Sequence, residues 1–131
     1  MKRTLFAALL VGASLFLVQA CSSVPDPASI PADMPIVVLT QNAQNAFDRN
    51  NYKAAEVYYQ LIIDRYGSDP AVLTAAEFEI AHLRIKEKKW DDARPRLEAI
   101  VARYEGAGGA SLPPEYLKLA KIDLAKIPQG K

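Results

Sequence analysis

The sequence predicts an all-α domain of paired helices, and three observations carry that expectation. From Ile36 onward apolar residues recur at helical spacing. Asparagine, glycine and proline punctuate that stretch into five segments. Two of the segments match each other residue by residue at an offset of 38. No window alternates apolar and polar residues well enough to make a strand.

Taken in order, residues 1–20 read as a leader. Lys2 and Arg3 form a short positive start, and Leu5 to Val18 is an apolar run broken only by small residues and Thr or Ser. That run is shorter than the ~20 apolar residues a spanning helix requires, and suits a cleavable signal better. The alternative is a signal anchor that stays uncleaved. Residues 21–35 carry prolines at 25, 27, 31 and 35, which predicts an extended tether reaching on the order of 40 Å. The first helix is expected from about Ile36 to Arg49, ending at Asn50-Asn51. The second runs from about Tyr52 to Tyr66 with Asn51 as its N-cap. In Gly67-Ser68-Asp69-Pro70 the glycine ends one helix, Asp69 caps the next, and proline suits its first position. The third helix is expected over about 70–88 and the fourth over about 91–104. Pro95 is tolerated only if the fourth helix begins near Asp91; an earlier start would leave it bending the helix. A glycine-rich loop then leads to Pro113-Pro114 and a fifth helix ending near Ile127-Pro128, with residues 128–131 as a tail.

The repeat aligns Tyr52, Ala55, Tyr59, Ile62 and Arg65-Tyr66 with Trp90, Ala93, Leu97, Ile100 and Arg103-Tyr104. The preceding helices align through Asn42-Ala43 and Ile80-Ala81, and a further 39 residues on through Leu119-Ala120. Small alanines let helices approach closely, while aromatic and aliphatic residues fill the space between them. This pattern resembles the tetratricopeptide repeat in its longer variety, with RYGSDP between units, as in periplasmic assembly lipoproteins. Leu39, Asn42 and Lys89 depart from the usual pattern. The resemblance covers residues 36–127 and implies an α-solenoid of about two and a half units. The rival is an unrelated five-helix bundle. Because such arrays need about three units for a continuous core, a partner, a dimer or the fifth helix acting as a cap should supply the rest.

Cys21 is the only cysteine, so no intramolecular disulfide can form. The string LVQAC, with Val18 and Ala20 ahead of Cys21, resembles the lipobox of bacterial lipoproteins. That resemblance implies a diacylglyceryl thioether on Cys21, cleavage before it and acylation of the new amino group. Two or more acyl chains anchor stably where one does not. Ser22 after the cysteine, rather than Asp, resembles an outer-membrane sorting signal facing the periplasm. Without Lys2 and Arg3 the chain keeps 14 basic residues against 15 acidic ones, so nothing draws it to nucleic acid.

Resemblance to tetratricopeptide grooves implies a concave face lined by the first helix of each pair. That places Val37, Thr40, Gln44, Phe47 and Asp48 from the first helix there. The third helix would add Ala75, Phe78, His82, Ile85 and Lys86, and the fifth Leu117, Lys121 and Leu124. Phe47 and Phe78 would be apolar anchors, and Gln44, His82, Lys86 and Lys121 polar selectors. The competing reading makes Phe47, Phe78 and Leu124 core and leaves His82 and the lysines solvated. His82, the single histidine, has only Glu79 near it on its own helix, too few ligands for zinc. Glu77-Glu79 and Asp91-Asp92 read as ordinary exposed carboxylates. Gly106, Gly108 and Gly109 lack the lysine of a phosphate loop. No catalytic set is visible, and no cofactor is implied beyond the covalent lipid. The leading expectation is an envelope lipoprotein that binds an envelope protein or peptide, with a homo-oligomer also open. The alternative is a small-ligand accessory of a solute transporter, which would require an enclosed apolar pocket.

Overall fold

The computed structural model describes residues 23–130. The leader over residues 1–20 and Cys21 lie outside the described residues. Among those described, five helices follow one another: α1 (Ile36–Asp48), α2 (Tyr52–Tyr66), α3 (Pro70–Lys86), α4 (Trp90–Glu105) and α5 (Pro114–Lys126). Each packs on the next, and α3 also meets α5. The described residues contain no strand. The protein is therefore an all-α arrangement of consecutive helical hairpins. No described helix is long and apolar enough to cross a membrane.

The repeat is visible in the backbone as well as in the side chains. Asn50 and Lys88, 38 positions apart, both adopt φ 58°. Behind them the same pair of bonds recurs. Asn51 N–H donates to the Ala46 carbonyl and Asn50 N–H to Phe47, just as Lys89 donates to Arg84 and Lys88 to Ile85. These are paired Schellman closures, which satisfy the last carbonyls of α1 and α3. Asn tolerates the left-handed region, whereas Lys88 holds it at a cost of about 1–2 kcal/mol. This turn ends α3 two residues before the expected 88. Gly67 works differently: its φ is −70°, but a Cβ there would lie 2.4 Å from the Ile63 carbonyl oxygen. Close approach, rather than left-handed geometry, requires that glycine.

The capping expectations at Asn51 and Asp69 hold. Asn51 accepts from Ala54 N–H at 3.2 Å, and Asp69 accepts from Ala71 N–H at 2.8 Å. The fourth helix begins at Trp90, one residue earlier than expected, which puts Pro95 in its sixth position. The bond that its N–H would have made to Asp91 is lost. Both residues are exposed, so water can serve the Asp91 carbonyl.

Five alanines at repeat-equivalent positions, Ala43, Ala81, Ala120, Ala55 and Ala93, are all 0 % exposed. They are the close-approach points of the stack. Two apolar clusters result. One joins α1 and α2 to Ala76, Ile80 and Leu83 of α3, and the other joins α4 and α5 to Phe78, Ala81 and Ile85 of α3. Helix α3 is thus apolar on two sides because it is central. Arg84, 8 % exposed, ties the units together through Glu56 of α2, Asp92 of α4 and Glu87 of its own turn. Asp92 is therefore not an idle surface acid, and neither is Glu77, which pairs with Arg103.

The tether expectation fails for most of its length. Residues 23–35 form a strap laid on α1 and α2 instead of an extended spacer. Pro27–Ser29 makes a 3-10 turn capped by Asp26, and Ile30 is buried in the first core cluster. Arg65 donates to the carbonyls of Pro31 and Ile30, and the Tyr66 hydroxyl donates to that of Met34 at 3.1 Å. Asn51 reaches the Ser23 carbonyl at 3.3 Å. The strap covers the apolar end that a preceding helix pair would cover in a longer array. At the other end α5 takes the same part through Ala120 and Ile127. The repeated tyrosine supports this: Tyr104 donates to the Pro113 carbonyl at 2.6 Å, fixing the chain before α5 as Tyr66 fixes it before α1.

Candidate functional site

Between α1, α3 and α5 lies an open groove made of two adjoining depressions. The larger, about 430 Å³, is lined by Gln44, Phe47 and Asp48 of α1, Phe78, Glu79 and His82 of α3, and Leu119, Ile122, Asp123 and Lys126 of α5. Tyr59 of α2 forms its floor. The second, about 190 Å³, continues along α1 past Thr40 and Ile36 and is closed by Ala75 of α3 and Tyr116 of α5. Gln44, Tyr59 and Glu79 belong to both depressions. Helix α1 is about 20 Å long at 1.5 Å per residue, so the groove matches an extended segment of about five residues.

Aromatic rings organise the larger depression. The His82 ring stacks between Phe47 and Phe78, with both centroid separations 5.8 Å. Tyr116 leans on Phe78 at 5.6 Å, and the Lys86 ammonium sits 5.7 Å over the Phe47 ring. His82 Nδ1 lies 2.6 Å from Asp123 Oδ2, and since a carboxylate only accepts, the imidazole N–H is the donor. Lys126 Nζ donates to the other Asp123 oxygen at 2.6 Å. Asp123 is 2 % exposed. Burial opposes its charge, but the hydrogen bonds from His82 and Lys126 outweigh it and hold its carboxyl below the usual carboxylate range.

Glu79 responds the other way. Burial pushes its carboxyl above the ordinary value and Asp123 adds to the push, against the opposing pull of His82 and Tyr59. The Tyr59 hydroxyl is raised as well, first by burial and then by the neighbouring charge of Glu79, with Asp48 contributing. Among the described residues neither Asp48 nor Glu79 has an ion-pair partner. The groove therefore holds one ion-paired carboxylate, Asp123, and two without an ion pair, Asp48 and Glu79, around a tyrosine hydroxyl.

The structure brings together Gln44, Phe47, Asp48, Phe78 and His82, with Thr40 and Ala75 in the adjoining depression. Lys86 stands at the rim through Phe47. The other expected residues are elsewhere. Val37 is 70 % exposed and lines neither depression, and Ile85 is buried in the second core. Leu124 packs against that core too, and Phe78, 4 % exposed, belongs to it, as the competing reading had both. Leu117 and Lys121 line a further, shallower depression on α5 with Pro114 and Lys118, and Ile122 borders both it and the groove. They keep the repeat register of Phe78 and His82, 39 residues earlier. That register points toward the position of a following helix, and among the described residues none covers it. The inner flank of α5 carries Leu119, Ile122, Asp123 and Lys126 instead. Tyr59 was missed because its helix is the second of its pair, and Glu79 because it read as an exposed acid. Asp123, 41 residues from His82 in sequence, left no local signal.

No protein-family model matches the chain, and no solved structure matches it. The chain is similar to a protein of Treponema pallidum (strain Nichols) described as "Uncharacterized protein", with 40 % identity over 113 residues. That match takes in 86 % of this chain and 45 % of the relative, so the chain spans less than half the length of the relative it matches.

Proposed function

We propose that this chain is a lipid-anchored protein of the bacterial cell envelope that captures a short segment of a partner protein. Its hairpin array, resembling tetratricopeptide repeats, supplies the groove. The observation that carries this reading is the groove itself, with the half-buried Phe47 ring as an aromatic anchor beside polar selectors at Gln44 and His82. Leu119 and Ile122 on its α5 wall are 39 % and 44 % exposed, apolar area that a bound segment would cover. An open, half-polar groove favours a segment over the enclosed small ligand of the transporter alternative. The leader and the LVQAC string support the address: an acylated Cys21 on the outer membrane, with the domain in the periplasm.

Detergent-solubilised envelopes test this with the wild-type chain and Gln44→Arg as baits. Gln44 is exposed, so its replacement blocks the groove without touching the core. A specific envelope protein held by the wild type and lost with the variant is the expected result. Equal recovery by both baits would remove the groove from the function.

A further inference from the structure

The groove carries a charge imbalance that its own side chains do not resolve. Asp123 is satisfied by His82 and Lys126. Asp48 and Glu79 line the same depression beside the Tyr59 hydroxyl, and among the described residues neither has an ion-pair partner. An acidic segment would bring a third negative charge into this space. A neutral one would leave the half-buried Glu79 carboxylate without a counter-charge, which is costly. A cation removes the imbalance.

Resting on the segment-binding reading above, we propose that the partner enters the groove with a lysine or arginine side chain. Its charged end lies at Tyr59 between Asp48 and Glu79, and its aliphatic stem lies along Phe47. Apolar neighbours of that residue in the partner cover Leu119 and Ile122. The ligand is thus an extended segment of about five residues with a basic residue among apolar ones. Recognition needs only one inserted cation, so the domain's overall near-neutral charge is no obstacle.

Random dodecapeptides displayed on phage and selected on the detergent-solubilised full chain test this directly. Selected peptides should be enriched in Lys or Arg over the starting library at one position. A selected arginine peptide should bind about tenfold more tightly than its citrulline twin, which keeps the shape and removes the charge, as expected for a charge-assisted contact. Glu79→Gln and Asp48→Asn should each shrink that difference. Asp48 is exposed, so the second variant keeps its fold even if the first does not. Peptides selected without basic enrichment, or twins that bind equally, would overturn the cation while leaving the groove as a segment site. Selection that never rises above a bare support would overturn both.

Discussion

Asp123 and Glu79 share one groove, yet burial and neighbours act on them with opposite net effect. The folded-state value for Asp123 lies below its unfolded value of about 3.9, so its contribution to stability is complete at neutral pH. That contribution is lost as pH falls below about 4 and through the folded value. Glu79 lies above its unfolded value, so its ionised form costs stability at neutral pH and the cost is relieved as pH falls through the folded value. Asp123→Asn, which weakens the buried hydrogen bonds from His82 and Lys126, should lower stability at pH 7 by about 1–3 kcal/mol in urea melts. The gap to wild type should narrow below about pH 4. Glu79→Gln should match or exceed wild type in the same melts. A groove carboxylate kept at a cost to folding is what a binding role would maintain. His82 was legible as a groove residue because the helical wedge of α3 fixes its direction. Its partner was not, because burial and charge pairing across 41 residues leave no periodic trace.

The five helices and two of their caps were legible because apolar spacing, glycine, asparagine and proline all act locally. The strap was not. Ile30 and Met34 are isolated apolar residues among prolines, and a period cannot be read from single residues. Their burial depends on an exposed helix end that only the folded array creates. Ile30, 8 % exposed, should therefore behave as a core residue. Ile30→Ala should cost about 2–3 kcal/mol in thermal or urea unfolding. A free tether would show no change. The α5 wall was misread for a related reason: carrying the repeat register forward finds the right alanine, Ala120, but not which flank meets α3. That choice follows from α3 and α5 being neighbours, which is tertiary information.

Across the whole molecule, the docked strap changes how the domain would sit on a membrane. With Ser23 held at Asn51, only a residue or two separates Cys21 from folded structure, a reach of under about 10 Å. An acyl anchor on Cys21 would therefore hold the turn between α1 and α2 against the headgroups. Helix α2 puts Ser68 roughly 20 Å farther away at 1.5 Å per residue. A fluorophore at Asn50→Cys in the acylated chain on liposomes should be quenched by headgroup-labelled lipid, and one at Ser68→Cys far less. Equal quenching at both sites would mean that the strap does not hold. The groove opens between α1, α3 and α5, and capture of a partner segment there can be read in intact cells. A photo-crosslinking residue placed at Gln44, in the groove, is compared with one at Glu98, on the exposed side of α4. A discrete higher-mass product from position 44 and none from position 98 is the expected result. Products from position 98 alone, or the same set from both, would contradict a groove that binds.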